Sequence, residues 1–280
     1  MGPANENSAE NFLAKGWRPR EVDMQRPSPA RMYDYYLDGA NNFPFDRKAA
    51  DEALAILPEI RTFARQNRAF LRRAVQYGIK NGIRQFLDLG SGLPTVGNVH
   101  EIAQAQVPDA RVVYVDNELI AVARSYTLLE HNPYAKCIEA DLTEPNSVLQ
   151  HEITTSLIDF SQPLMILACA VLHFVPDNQN PFGVVQAYAD ALPSGSYFAL
   201  SHATATDYPE QLADVLEVYQ RTQNSAHLRT RAEITRLLAP FEHFVNPGVV
   251  YTPEWRPEHM ADVLKNPAES LAYGAVGHMP

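Results

Sequence analysis

Three carboxylates and two glycines are spaced so that they can meet around one small molecule. The stretch Asp88-Leu-Gly-Ser-Gly-Leu-Pro94 sets an acid just ahead of Gly90 and Gly92, Asp116 follows 24 positions past Gly92, and Asp141 comes later still. Gly90 and Gly92 let the backbone turn sharply and let a ligand approach where a Cβ would otherwise sit. An acid about 20 residues beyond such a turn is placed to accept hydrogen bonds from both hydroxyls of a ribose. The chemistry described is nucleoside recognition. Asp116 takes the ribose with Asn117 beside the base, Ser91 contributes backbone, and Asp141, followed by Leu142, meets an adenine amino group.

These residues need a parallel sheet to bring them together. From residue 83 onward short apolar runs alternate with helical stretches: Gln85 to Leu89, Arg111 to Asp116, Lys136 to Ala140, Leu164 to Val171 and Tyr197 to Ser201. Strands separated by helices predict an α/β fold, with right-handed crossovers and helices on both faces. Ligands of such sheets bind beyond the carboxyl ends of the strands, where the strand order reverses. Two later runs, Phe241 to Val245 and Gly248 to Tyr251, flank Asn246-Pro247-Gly248 and predict an antiparallel hairpin at the sheet edge. Upstream, residues 1–27 read as a flexible polar arm, 28–82 as a helical extension and 83–280 as the nucleoside-binding domain. In the extension Ser28 caps the first helix, which Gly39 ends, and Asp46 caps the second.

NAD and S-adenosylmethionine both satisfy a glycine turn with a distant acid. The dinucleotide pattern needs a third glycine, but Thr95 stands there and the next glycine is Gly97. Asp88 beside a pyrophosphate would also be repelled, whereas a sulfonium and an ammonium favour a nearby carboxylate. The stretches Arg31 to Arg47, Asn67-Arg68-Ala-Phe70, Asp88 to Thr95 and Tyr114-Val-Asp-Asn117 together resemble an actinobacterial family of S-adenosylmethionine-dependent methyltransferases, long classed as a domain of unknown function. The resemblance runs from Arg31 to Gly277. It implies a Rossmann-like class I methyltransferase sheet, mostly parallel with an antiparallel C-terminal end. Pro94 replaces a glycine frequent in the wider superfamily, and the smaller family shares that form.

Further candidates follow from position. Arg65 and Arg68 precede the first strand, and one of them can pair with a methionine carboxylate. Tyr33, Tyr36 and Phe43 are either core aromatics or, as the resemblance implies, a lid, with Tyr36 assigned to the cofactor. His173 and His202 follow the fourth and fifth strands at the ligand edge and are the candidate catalytic groups, since a hydroxyl acceptor would need a base.

Composition limits the rest. A net charge of -10, from 33 acidic and 23 basic residues, opposes binding to a phosphate backbone. Cys137 and Cys169 lie in apolar runs and read as buried thiols of a reducing compartment. Residues 1–10 lack the pattern of a signal peptide. The apolar run 163–175 is shorter than the roughly 20 residues that span a bilayer. The expectation is a cytoplasmic enzyme acting on a small-molecule acceptor, without nucleic-acid or membrane partners, metal-free, with homodimerisation left open. Ala168-Cys-Ala-Val-Leu-His173 at the fourth strand argues against amino methylation of DNA or protein glutamine. A non-catalytic S-adenosylmethionine-binding regulator and an NAD-dependent oxidoreductase are the alternatives.

Overall fold

The computed structural model describes residues 25–280 apart from 96, 242 and 259–262. Most of the expected N-terminal arm, residues 1–24, lies outside the described residues. Five strands, β1 (Gln85–Leu89), β2 (Arg111–Asp116), β3 (Ala135–Glu139), β4 (Met165–Cys169) and β5 (Tyr197–Ala203), lie in the order β3-β2-β1-β4-β5 and pair in parallel. The chain moves outward from β1 to β3, then crosses back to β4. This makes the C-terminal ends of β1 and β4 the point where the order reverses.

Strand alternation decides which side chains meet which helix. Phe86 packs on the long helix α3 (Ile60–Lys80) through Phe70, Leu71 and Ala74, whereas Leu87 and Leu89 belong to the opposite layer with Val184 and Tyr188 of α8 (Pro181–Asp190). By the same period Asp88 lies on the α3 side of the sheet. The remaining crossover helices are α4 (Val99–Gln104), α5 (Leu119–Leu129), α6 (Pro145–Leu149) and α7 (Glu152–Leu157).

The C-terminal strands are antiparallel, but they do not form the expected hairpin. The two-residue strands β6 (His243–Phe244) and β7 (Val250–Tyr251) each pair with a final strand, β8 (Ala272–His278), which itself pairs antiparallel with β5. Small residues make β8 possible. A Cβ on Gly277 would come within 2.7 Å of Phe241, and one on Gly274 within 2.9 Å of the Phe70 ring.

The N-terminal helices α1 (Pro29–Tyr36) and α2 (Pro44–Ile56) pack with α9 (Pro209–Gln220), burying Met32, Ala50, Ala53, Leu212 and Val215; α10 (Arg231–Leu237) follows. Two capping expectations need correction. Ser28 occupies the N-cap position of α1 without a side-chain cap, and α2 begins at Pro44 with Asp46 in its third position. Asp46 instead accepts from Ser28 N and Phe43 N, both at 2.9 Å, and pairs with the buried Arg31 at 2.8 Å. The same guanidinium reaches Glu118 after β2 at 2.6 Å, tying the extension to the sheet. A buried ion pair of this kind needs its further hydrogen bonds to offset desolvation.

Candidate functional site

The turn after β1 is held by backbone. Gly90 and Ser91 donate to Val115 O at 2.8 and 3.1 Å, and Gly90 and Gly92 have φ of 64° and 65°. A side chain is disfavoured at such angles. At Gly90 a Cβ would also stand 2.1 Å from Val171 Cγ2, because the segment after β4 crosses directly over the turn. Over Gly92 a Cβ would find nothing within 4 Å, so this part of the turn borders open space.

Asp116 ends β2 with both oxygens engaged: Gly92 N donates to Oδ2 at 2.7 Å and Glu118 N to Oδ1 at 2.8 Å. Each carboxylate oxygen retains a further acceptor site. Burial pushes Asp116 up to about 6, against the pull of those two amides. Asp88 is pushed up to about 7, chiefly by burial and slightly by Asp116, with Arg68 opposing. Among the described residues none donates a hydrogen bond to the Asp88 carboxylate. An acid in this condition favours a cationic ligand that can share its charge.

These groups border one cavity of about 400 Å³ at the reversal point of the sheet. Asp88, Gly90, Ser91, Gly92, Asp116, Asn117, Asp141, Leu142, Arg68 and His173 all line it, so the structure brings together most of the residues singled out from sequence. Asp141 is exposed, and its Oδ1 accepts from the amide and hydroxyl of Thr143 at 2.8 and 2.7 Å. Leu142 is buried, its carbonyl fixed by Tyr188 Oη at 3.0 Å.

Of the two arginines, Arg68 borders the cavity and donates to Gly97 O at 2.6 Å, whereas Arg65 pairs at the surface with Asp38. Three other candidates stand outside the lining: Phe43, whose ring lies 5.5 Å from the Arg31 guanidinium, Tyr36 and His202. Tyr36 is buried among the N-terminal helices with its hydroxyl 3.2 Å from that of Tyr219. His202 is buried behind the wall with both nitrogens occupied: Nδ1 lies 2.8 Å from Ala203 O and Nε2 2.9 Å from Arg229 Nη1. Since an arginine only donates, Nε2 of His202 is the acceptor and Nδ1 carries the proton. Burial holds His202 down to about 3, so it stays neutral. Cys169, expected to be buried, is partly exposed because it ends β4 at the cavity.

Other lining residues escaped assignment. Asn67, next to Arg68, accepts from Ser201 Oγ and donates to Tyr33 Oη at 2.9 Å; Tyr33 Oη in turn donates to Ala64 O at 3.0 Å. Ser201 Oγ also accepts from Ala170 N at 2.9 Å. One chain of hydrogen bonds therefore fixes α1, α3 and the ends of β4 and β5 together. Glu118, next to Asn117, and the loop from Gln223 to His227 complete the wall, with His227 N donating to His173 O at 2.6 Å. Pro27 O accepts from Gln223 N at 3.0 Å, so the end of the arm also closes on this loop.

The site fits S-adenosylmethionine better than a dinucleotide. Five acids (Asp34, Asp88, Asp116, Glu118 and Asp141) line the cavity against one arginine, Arg68, a balance that favours a cation over a pyrophosphate. The loop hydroxyls Ser91 Oγ and Thr95 Oγ1 are buried without a partner among the described residues. No group of three or more His, Cys, Asp or Glu placed to hold a metal occurs among the described residues.

A family model described as S-adenosyl methyltransferase matches residues 15–280. A candidate methyltransferase from Thermobifida fusca YX is 38% identical, covering 94% of this chain and 98% of its own, with a TM-score of 0.86. A DUF574-family protein from Streptomyces avermitilis MA-4680 is 35% identical over 93% of this chain and 100% of its own, with a TM-score of 0.88. Among curated proteins none matches the chain.

Proposed function

The chain belongs to the S-adenosyl methyltransferase family, and from that premise we propose that it methylates a small molecule held between the N-terminal helices and the ends of β4 and β5. The observation that carries this reading is the acidic cavity, which is lined both by the buried Asp88 and by the aromatic side chains of Phe63, Phe174 and Tyr219. The acidic group suits the cofactor, and the aromatic surface suits an uncharged acceptor.

S-adenosylmethionine supplies, when bound, a methyl carbon on a positively charged sulfur. The protein's own contribution is alignment and exclusion of water. Asp88 would hold the ammonium of the methionine end and Arg68 its carboxylate. Asp116, preset by Gly92 N and Glu118 N, would accept from the ribose hydroxyls, with Asn117, Asp141 and Leu142 around the base. His173, at the wall beyond β4, faces the acceptor, and His202 acts behind it by anchoring Arg229.

Cytoplasmic location belongs to the same reading, supported by the free thiols of Cys137 and Cys169. None of the described helices is long and apolar enough to cross a membrane. The test is incubation with S-adenosylmethionine and a panel of small hydroxyl, amine and thiol compounds, following release of S-adenosylhomocysteine. Turnover with at least one compound is expected. Binding without turnover across the panel would favour a regulator, and reduction of NAD would refute the proposal.

A further inference from the structure

A second cavity adjoins the first. It measures about 60 Å³ and is lined by Ile60 of α3, Leu212, Val215 and Leu216 of α9, and Leu228 and Leu271. Phe63, His173, Phe174 and Tyr219 line both cavities, so the two share an aromatic wall. Its rings meet at close range: His173 lies 4.3 Å from Phe174 and 6.3 Å edge-on from Phe63, and Phe174 lies 6.2 Å from Tyr219. At such spacings the rings pack on one another, edge-to-face or tilted, so that they form a continuous aromatic surface.

No carboxylate, lysine or arginine lines the second cavity among the described residues. A charged group entering it would lose hydration without gaining a partner. The volume holds about two water-sized groups at roughly 30 Å³ each, enough for a short alkyl branch.

The shared wall has one polar group to spare. Tyr219 Oη is engaged with Tyr36 Oη at 3.2 Å. His173 is 5% exposed, and its Nδ1 is enclosed without a partner among the described residues, which leaves Nε2 as the nitrogen that can meet a ligand. Burial, with His202 and Arg229 nearby, holds His173 well below the ordinary histidine range, so the ring is neutral. A neutral ring nitrogen is matched by a hydroxyl in either tautomer, because a hydroxyl both donates and accepts.

Resting on the methyltransferase reading, we infer that the acceptor is an uncharged alkylphenol-type compound whose ring lies against the aromatic wall, whose alkyl branch enters the second cavity and whose hydroxyl bonds to His173 Nε2. In the transfer the hydroxyl oxygen forms the bond to the methyl carbon. The carbon–sulfur bond breaks with its electron pair passing to sulfur, and the hydroxyl proton goes to His173 and from there to water. Phe63 and Phe174 hold the ring in line, and the second cavity selects the substituent.

The test is binding, read by calorimetry on the full chain saturated with S-adenosylhomocysteine. The probes are 4-methyl-, 4-ethyl- and 4-isopropylphenol, with 4-hydroxybenzoate as the anionic counterpart of the isopropyl compound and 4-hydroxybenzylamine and ethylbenzene as the cationic and hydroxyl-free counterparts of the ethyl compound. At least one alkylphenol is expected to bind, and the three counterparts at least tenfold more weakly. Leu216→Phe, at a half-buried position of α9 that lines the second cavity, should cost the alkylphenol at least tenfold and leave S-adenosylhomocysteine unchanged. His173→Phe should bring 4-ethylphenol down to the affinity of ethylbenzene. Equal binding of a charged counterpart, or no binding of any alkylphenol to the saturated protein, would overturn the inference alone. Failure of S-adenosylhomocysteine to bind at the first step would instead remove the methyltransferase reading on which it rests.

Discussion

Asp88→Asn isolates the electrostatic condition of the site. Burial raises the Asp88 carboxyl from 3.8 to about 7 in the ligand-free protein. A difference of about three pH units corresponds to ~4 kcal/mol of preference for the neutral form. Because the folded chain holds this proton more tightly than the unfolded chain, it carries more bound protons between about pH 4 and 7. Stability from this group is therefore complete below the unfolded value and is lost as pH rises through about 7. Asparagine cannot ionise, so the variant loses this slope. The quantity to measure is the difference in urea-unfolding free energy between variant and wild type, which removes Asp116 and every other group common to both. That difference should move in the variant's favour by roughly 3 kcal/mol between pH 5 and 8, following 1.36 kcal/mol per unit up to about pH 7. The ligand reverses the preference, since its ammonium stabilises the charged carboxylate. Affinity of the wild type for S-adenosylhomocysteine should rise up to tenfold per pH unit between about 5 and 7 through Asp88, with proton release that the variant lacks. Parallel stability curves for the two proteins across pH 5 to 8 would refute the argument.

Other substitutions probe the β1 turn, the Arg31 ion pair and the arginine at the cavity. Gly90→Ala places a Cβ 2.1 Å from Val171 at a φ of 64°; strain of about 1–2 kcal/mol plus the clash should lower the thermal midpoint, and an unchanged midpoint would contradict the close crossing of β4's loop. Arg31→Met strands Asp46 and part of Glu118 in the interior and should cost about 3–5 kcal/mol in denaturant unfolding. Arg68→Met should weaken S-adenosylhomocysteine about tenfold or more, whereas Arg65→Met, whose ion pair with Asp38 is exposed, should leave it unchanged; equal effects would remove Arg68 from the site.

Much of this arrangement is readable from residue order. β1 and β2 fall within the ranges read for them, because buried parallel strands write short runs dominated by apolar residues between polar turns. The Asp88–Gly92 turn and Asp116 are equally legible, since both are local consequences of a strand ending at a ligand edge. β8 is not. Ala272–His278 carries two glycines and no alternation, and its place between β5 and β6 is fixed by close contacts with Phe70 and Phe241 far away in the chain. Asn246-Pro247-Gly248 reads as a hairpin turn, yet β6 and β7 find a better partner in that hidden strand. His202 and His173 look equivalent as histidines after adjacent strands. Only Arg229, brought in from 27 residues downstream of His202, occupies the ring of one and leaves the other to the cavity. The loop from Gln223 to His227 is invisible for a similar reason: its role comes from contacts with Pro27 and His173.

The cavity bordered by Asp88, Asp116 and Asp141 is the proposed seat of S-adenosylmethionine. Calorimetric titration of the wild type and Asp116→Ala with S-adenosylmethionine, S-adenosylhomocysteine and NAD tests this assignment most directly. Both sulfur nucleotides are expected to bind the wild type and to lose about tenfold or more in affinity for the variant, and NAD is expected not to bind. Binding of NAD alone, or unchanged affinity for the sulfur nucleotides in Asp116→Ala, would contradict the assignment.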